Sequence, residues 1–224
     1  MKRLEFIIPA CVFLFLNFSC QTPESGTTTA VSGSIELIVE PGDRWQGKMK
    51  VFIFSIKKTP QIAAWIEDTE GRYIATITVT NRSAHKKWRG APAEGRPEAL
   101  PVWNHRQQSS ALNDIDTVSA ATPKGPIEAS VDRGALIDGN VYNVFLEINH
   151  SFDYNDRWTK DNSGDNGQPS LIYHGQFMAG QPFHIPLVPV GYGSVDGSSG
   201  DIGGGLENFS TALNIIKDVY IIRK

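Results

Sequence analysis

The sequence predicts an all-β fold, a β-sandwich with long loops, and three observations carry that prediction. Short apolar or alternating runs recur along the 224 residues, separated by clusters of Gly, Pro, Asn, Asp and Ser. No stretch past the N-terminal leader makes a convincing amphipathic helix, and no strand–helix–strand rhythm of a parallel sheet is present. Both cysteines, Cys11 and Cys20, fall in the first 20 residues, so the body has no disulfide and must rest on its core.

The leader has three parts. Lys2 and Arg3 are basic, residues 6–18 are apolar apart from Pro9 and Asn17, and Ser19-Cys20 follows. An apolar stretch of roughly 13 residues is shorter than the ~20 needed to span a bilayer core. The expected division is a lipoprotein signal peptide at 1–19, a lipidated Cys20 with a flexible Thr/Ser/Gly tether over 20–32, and one sandwich domain over 33–224. Leu16 stands four residues before the Cys instead of the usual three, and an ordinary signal peptide ending near a Cys is the plainer alternative. Gln21 after the Cys favours the outer over the inner membrane, so the domain is expected in the cell envelope, facing the periplasm or the cell surface. A net charge of −3, with a pI near 6.0 and interspersed charges, argues against a nucleic-acid partner.

Within the body, Ile35, Leu37 and Val39 alternate with polar residues before a Pro41-Gly42-Asp43 turn. Residues 49–56 read as one strand buried on both faces. Residues 62–67 and 73–80 flank Asp68-Thr69-Glu70-Gly71, a strong hairpin signal. The Pro-rich stretch 85–115 reads as a long excursion with a short helix near 110–114. Residues 118–131 supply one irregular strand. Over 141–152, Tyr142, Val144, Leu146 and Ile148 alternate with Asn143, Glu147 and Asn149, which predicts one core face and one wet face. Residues 170–174 and 183–190 follow, the latter at an edge because of Pro186 and Pro189. The final run, 213–222, reads as a strand, with helical spacing as the alternative. That gives eight or nine strands, as a sandwich requires.

The segments from Trp65-Ile66-Glu67-Asp68 to Gly71 and from Leu100-Pro101-Val102 to Trp103 resemble a Trp-x-Glu-Asp-x-x-Gly hairpin followed by Leu-Pro-x-Trp. That pairing is similar to the predicted periplasmic proteins of domain-of-unknown-function family 2271. The resemblance implies an exported, immunoglobulin-like β-sandwich with no agreed catalytic residues, linked to extracytoplasmic flavin and redox systems.

Two clusters are candidate sites. Asp153, Asp156, Asp161, Ser163 and Asp165 offer the oxygen ligands that calcium prefers, at partly loop-like spacing, but turns use the same residues. Glu147, His150 and His174 could pair for a transition metal or for acid–base work, whereas a lone His on an apolar face more often serves the core. Trp88, Trp103 and Trp158 sit in loops and could stack on sugars or simply pack. No nucleophile elbow, metalloprotease motif or P-loop is present, and no resident cofactor other than calcium is suggested. The expected function is therefore a membrane-anchored, non-catalytic binding or accessory domain with a protein partner in the envelope. A carbohydrate-binding module is the alternative, and a metal-dependent enzyme the weaker one.

Overall fold

The computed structural model describes residues 34–51, 54–86, 88, 93, 95–109, 119–120, 125–132 and 136–223. The signal peptide, Cys20, the tether and the helix expected near 110–114 lie outside the described residues.

Alternation at 35–39 forms β1 (Ser34–Pro41), with Ile35, Leu37 and Val39 at most 2% exposed. The run expected as one strand over 49–56 is instead a hairpin of β2 (Gly47–Val51) and β3 (Phe54–Lys58), Met49 lying opposite Ile56. Nothing at Phe52-Ile53 marks a turn, so the reversal is invisible in composition.

The hairpin of β4 (Gln61–Asp68) and β5 (Tyr73–Thr80) forms as expected. Asp68 builds its turn: one carboxylate oxygen accepts the amides of Glu70 and Arg72, both at 2.9 Å, and the other meets Arg72 Nε at 2.6 Å. Gly71 completes the turn at φ 78°, where a side chain would be strained. A short α1 (Asn81–His85) follows β5.

The excursion contains a 3-10 turn (Pro97–Ala99) and then α2 (Pro101–Ser109), a helix the sequence reading did not expect. Its prolines read as breakers, yet Pro101 occupies the first helical position, where a missing N–H costs nothing. The stretch read as one irregular strand divides into β6 (Ser119–Ala120) and β7 (Ile127–Asp132), which join different sheets. The long strand is β8 (Val141–Asn149), and a single-turn α3 (Lys160–Ser163) lies in the loop after it. Next come β9 (Leu171–Met178), β10 (Phe183–Pro186), β11 (Val188–Tyr192) and β12 (Ile216–Arg223). The last run is thus a strand, preceded by a 3-10 turn (Thr211–Asn214).

These strands form a β-sandwich. One sheet has the order β10-β12-β1-β7 and the other β11-β9-β8-β4-β5-β6, with β2-β3 as a separate ribbon. Pairing is antiparallel except for the short β5–β6 contact. The proline-bearing run 183–190 does lie at an edge, in fact at two: Leu187 is the single residue between β10, at the margin of one sheet, and β11, at the margin of the other. Between the sheets, Leu37, Val39, Leu146, Ile148, Leu171 and Ile221 are fully buried.

The face of β8 expected to meet water is covered. Leu100, Val102 and Trp103 pack with Ala63, Trp65, Val79 and Ile172 in a second apolar cluster on the outer side of the six-stranded sheet. The two segments that carry the family resemblance therefore touch each other. Glu67 accepts the Trp65 indole N–H at 2.7 Å and lies 3.5 Å from Arg106 of α2.

Truncating a fully buried side chain at the centre of β8 tests the primary core. Leu146→Ala is expected to cost about 2–5 kcal/mol in urea unfolding. A cost under 1 kcal/mol would contradict a closed layer between the sheets.

Candidate functional site

Glu147 belongs to the packing of the second cluster. Its side chain is fully buried and accepts the backbone N–H groups of Val102 (3.2 Å) and Trp103 (2.8 Å) and the Ser170 hydroxyl (2.6 Å). Helix starts leave their first amides without intrahelical partners, and a carboxylate from the sheet supplies them here. Burial pushes this carboxyl up to about 7, against the pull of those three donors. Glu147 thus holds α2 down on the sheet and opens onto no cleft.

His174 lies elsewhere. Its Nε2 is 2.9 Å from Asn143 Oδ1, and its ring packs 4.7 Å from that of Phe145. Among the described residues no three His, Cys, Asp or Glu side chains gather to hold a metal, so Glu147, His150 and His174 form no common centre.

The four aspartates of the expected calcium loop do not gather either. Asp156, Asp161 and Asp165 are exposed, while Ser163 donates to the Thr159 carbonyl at 2.5 Å. Both Asp153 oxygens are 2.7 Å from the Thr211 hydroxyl, and one also accepts Gln168 Nε2 at 3.0 Å. Turn formation uses up these polar groups: Asn155 Oδ1 takes the amides of Arg157 and Trp158, and Thr159 with Asn162 forms a capping box on α3. Trp103 is 7% exposed, its indole N–H donating to Thr76, and Trp158 is 8% exposed against Tyr192 and Phe209. Neither offers a face to a sugar. Trp88 is half-buried and stacks on Arg96.

His150 lines a polar cleft. Where β8 ends, residues 150–153 meet the start of β2, the end of β3 and the turn after β1. They enclose a polar cleft of about 330 Å³, lined by Asp43, Arg44, Gln46, Gly47, Lys58 and residues 150–153. His150 Nε2 lies 2.8 Å from the Gly47 amide nitrogen, whose N–H donates to it, and 3.2 Å from the Lys58 carbonyl oxygen. Burial and then the Lys58 charge lower the basicity of the ring. Only glycine fits at 47, because a Cβ there would stand 2.1 Å from His150 Cε1.

Phe152 adopts φ 61°, a left-handed conformation that is strained for a bulky residue. Its amide donates to the Asp165 carbonyl at 2.9 Å, and the Gln168 amide donates to the Asp153 carbonyl at 2.8 Å, clamping the segment. The Phe152 ring lies between two cations, Lys58 Nζ at 4.2 Å and the Arg96 guanidinium at 5.7 Å. Lys58 donates to the Ser151 carbonyl at 2.5 Å, and Arg96 donates to the Ser151 hydroxyl at 2.7 Å. Burial first, and the Arg96 charge second, bring the Lys58 ammonium down to about 8.

Of the expected site residues, the cleft gathers His150 and Asp153. Lys58, Arg44, Gly47, Phe152 and Arg96 were not anticipated, and no spacing in the sequence marks them. No family model, curated protein or solved structure matches this chain.

Glu147 and Gly47 each give a measurable outcome. A carboxyl raised from 4.5 to about 7 on folding gives stability that is complete below pH ~4.5 and lost as pH rises through ~7, worth about 3 kcal/mol. Urea unfolding at pH 5 and pH 8 should show Glu147→Gln flattening that loss; parallel pH profiles for the two proteins would refute it. Gly47→Ala should displace the His150 ring and cost about 1–3 kcal/mol. A Gly47→Ala protein as stable as the parent, with an unmoved His150 imidazole signal, would count against the close approach.

Proposed function

We propose that this chain is an exported lipoprotein, acylated at Cys20, whose body serves as a non-catalytic binding or accessory domain of the cell envelope. In this reading the sandwich is immunoglobulin-like and of the family-2271 kind, which the pairing of the Trp65–Gly71 and Leu100–Trp103 segments resembles. That kinship links it to flavin- or redox-associated membrane systems.

One observation carries the binding role. The polar cleft combines a strained aromatic, a buried histidine and a cation that no carboxylate among the described residues reaches within 4.0 Å, in about 330 Å³, the lower end of the size range of ligand pockets. Against catalysis, the acid and base groups of Glu147, His150 and His174 serve three different places, and the one described hydroxyl on any of them, Ser170 on Glu147, is fully buried with it. Binding in the cleft needs no such pairing.

Anchoring and binding are tested separately. Metabolic labelling with an alkyne-tagged palmitate should mark the full chain, and Cys20→Ser should abolish the label; equal labelling of both would remove the anchor. The full-length protein in detergent is then melted against a panel of carboxylates, phosphates, amines and sugars. A ligand of the cleft at 100 times its Kd adds about 2.7 kcal/mol of stability. A panel that leaves the midpoint unmoved ends the small-ligand reading.

A further inference from the structure

We infer that the cleft beside His150 is an oxyanion-binding site, built to receive a carboxylate or phosphate group at the Lys58 ammonium; this rests on the binding role proposed above. An ammonium has three N–H donors. In Lys58 one of them goes to the Ser151 carbonyl, and the Phe152 face covers part of the rest. Among the described residues no carboxylate comes within 4.0 Å of Lys58 Nζ, whereas Arg96 is neutralised by Glu98 at 2.7 Å. Among the described residues the cleft thus holds a half-buried cation with no carboxylate in ion-pair contact, which costs free energy that a ligand's negative charge would offset.

The surroundings point the same way. Asp153 in the lining attracts Lys58 without reaching ion-pair range, its oxygens hydrogen-bonded to Thr211 and Gln168. Asp165 attracts Lys58 only from beyond ion-pair range. His150 is buried at the back of the cleft, its Nε2 held between the Gly47 amide and the Lys58 carbonyl, so it adds no acid to the lining. Arg44 lines the cleft with an exposed guanidinium that makes no described ion pair, and a planar fork suits an oxyanion. Two acids of the lining oppose this arrangement, the exposed Asp43 beside Arg44 and Asp153, whose neutral hydrogen-bond partners leave its charge in place.

Arg96 shows that the cation pair is built in and not a matter of surface side chains. Its side chain is only 10% exposed, and its Nη2 is buried without a hydrogen-bond partner. Two cations converging on Ser151 and on one aromatic ring repel each other, which is part of why Lys58 holds its proton weakly. Folding keeps this repulsion in place through the clamp on Phe152 instead of relaxing it into solvent.

The test melts the full-length protein in detergent against inorganic phosphate and acetate, with sodium chloride adjusted to hold ionic strength constant. The expected result is a saturable rise in midpoint. Lys58→Met should weaken the apparent affinity about tenfold or more. Arg44→Met, at an exposed position where folding is not at stake, should weaken it about two- to fivefold. Lys217→Met removes an exposed lysine paired with Glu40 on the other sheet and should change nothing. The inference is overturned if folded Lys58→Met and Arg44→Met proteins respond as the parent does, or if Lys217→Met loses as much. It also falls, with the binding role left standing, if sorbitol or ethanolamine raises the midpoint while both anions do not. If none of these probes acts, the oxyanion site and the small-ligand reading fall together.

Discussion

A single buried carboxylate closes the outer side of this molecule. Without Glu147, the first amides of α2 would have no partner beneath an apolar layer, and Leu100, Val102 and Trp103 would have no fixed seat. With it, the outer face of the six-stranded sheet is covered around Ala63, Trp65, Val79 and Ile172, while Gln176 and Met178 of β9 stay exposed. Trp65 and Glu67 of β4 and Arg106 of α2 then add a second polar tie across the same interface. Taking a carboxylate out of water is costly, and the three donors around it offset only part of that cost, which is why its proton is held so firmly. The resemblance-bearing segments thus meet for a mechanical reason: one is the hairpin, the other is the lid over it.

The alternation of apolar residues was legible wherever a strand buries one face between the sheets. β1, β5 and β8 stand where the alternation put them, because period-two spacing is set by the backbone itself, whereas β4 was marked by its hairpin turn and β12 by its apolar run. The hairpin at Asp68–Gly71 was legible because Asp and Gly have specific backbone roles there. What failed was anything decided by a distant partner. Glu147 reads as a water-facing residue until α2 is known to lie over it. α2 itself reads as a proline-broken loop, since its amphipathic pattern is weak and its stabilising carboxylate is 44 residues away from Trp103. The β2–β3 reversal carries no turn residue at all.

The same reasoning accounts for the site. Acidic and aromatic residues attracted notice because of what those types can do, but type alone does not say where the polar atoms are used. In the 153–168 loop they are used on turns and caps. In the cleft, ordinary residues become unusual by placement: a lysine at a strand end, a glycine that lets a histidine ring approach, a phenylalanine forced to positive φ. Three separate stretches of chain, 43–47, Lys58 and 150–153, converge there, and only the fold brings them together.

The passage from β10 to β11 has a consequence for how the sandwich can move. One residue, Leu187, joins the margins of the two sheets, and its amide is tied to the Val219 carbonyl at 2.9 Å. Gly175 allows the approach, with Ile185 and Pro186 lying against its backbone. So short a stitch fixes the two layers along that side, like the spine of a book. The two layers therefore cannot shift independently along that side, because one residue is held by the strand margins of both.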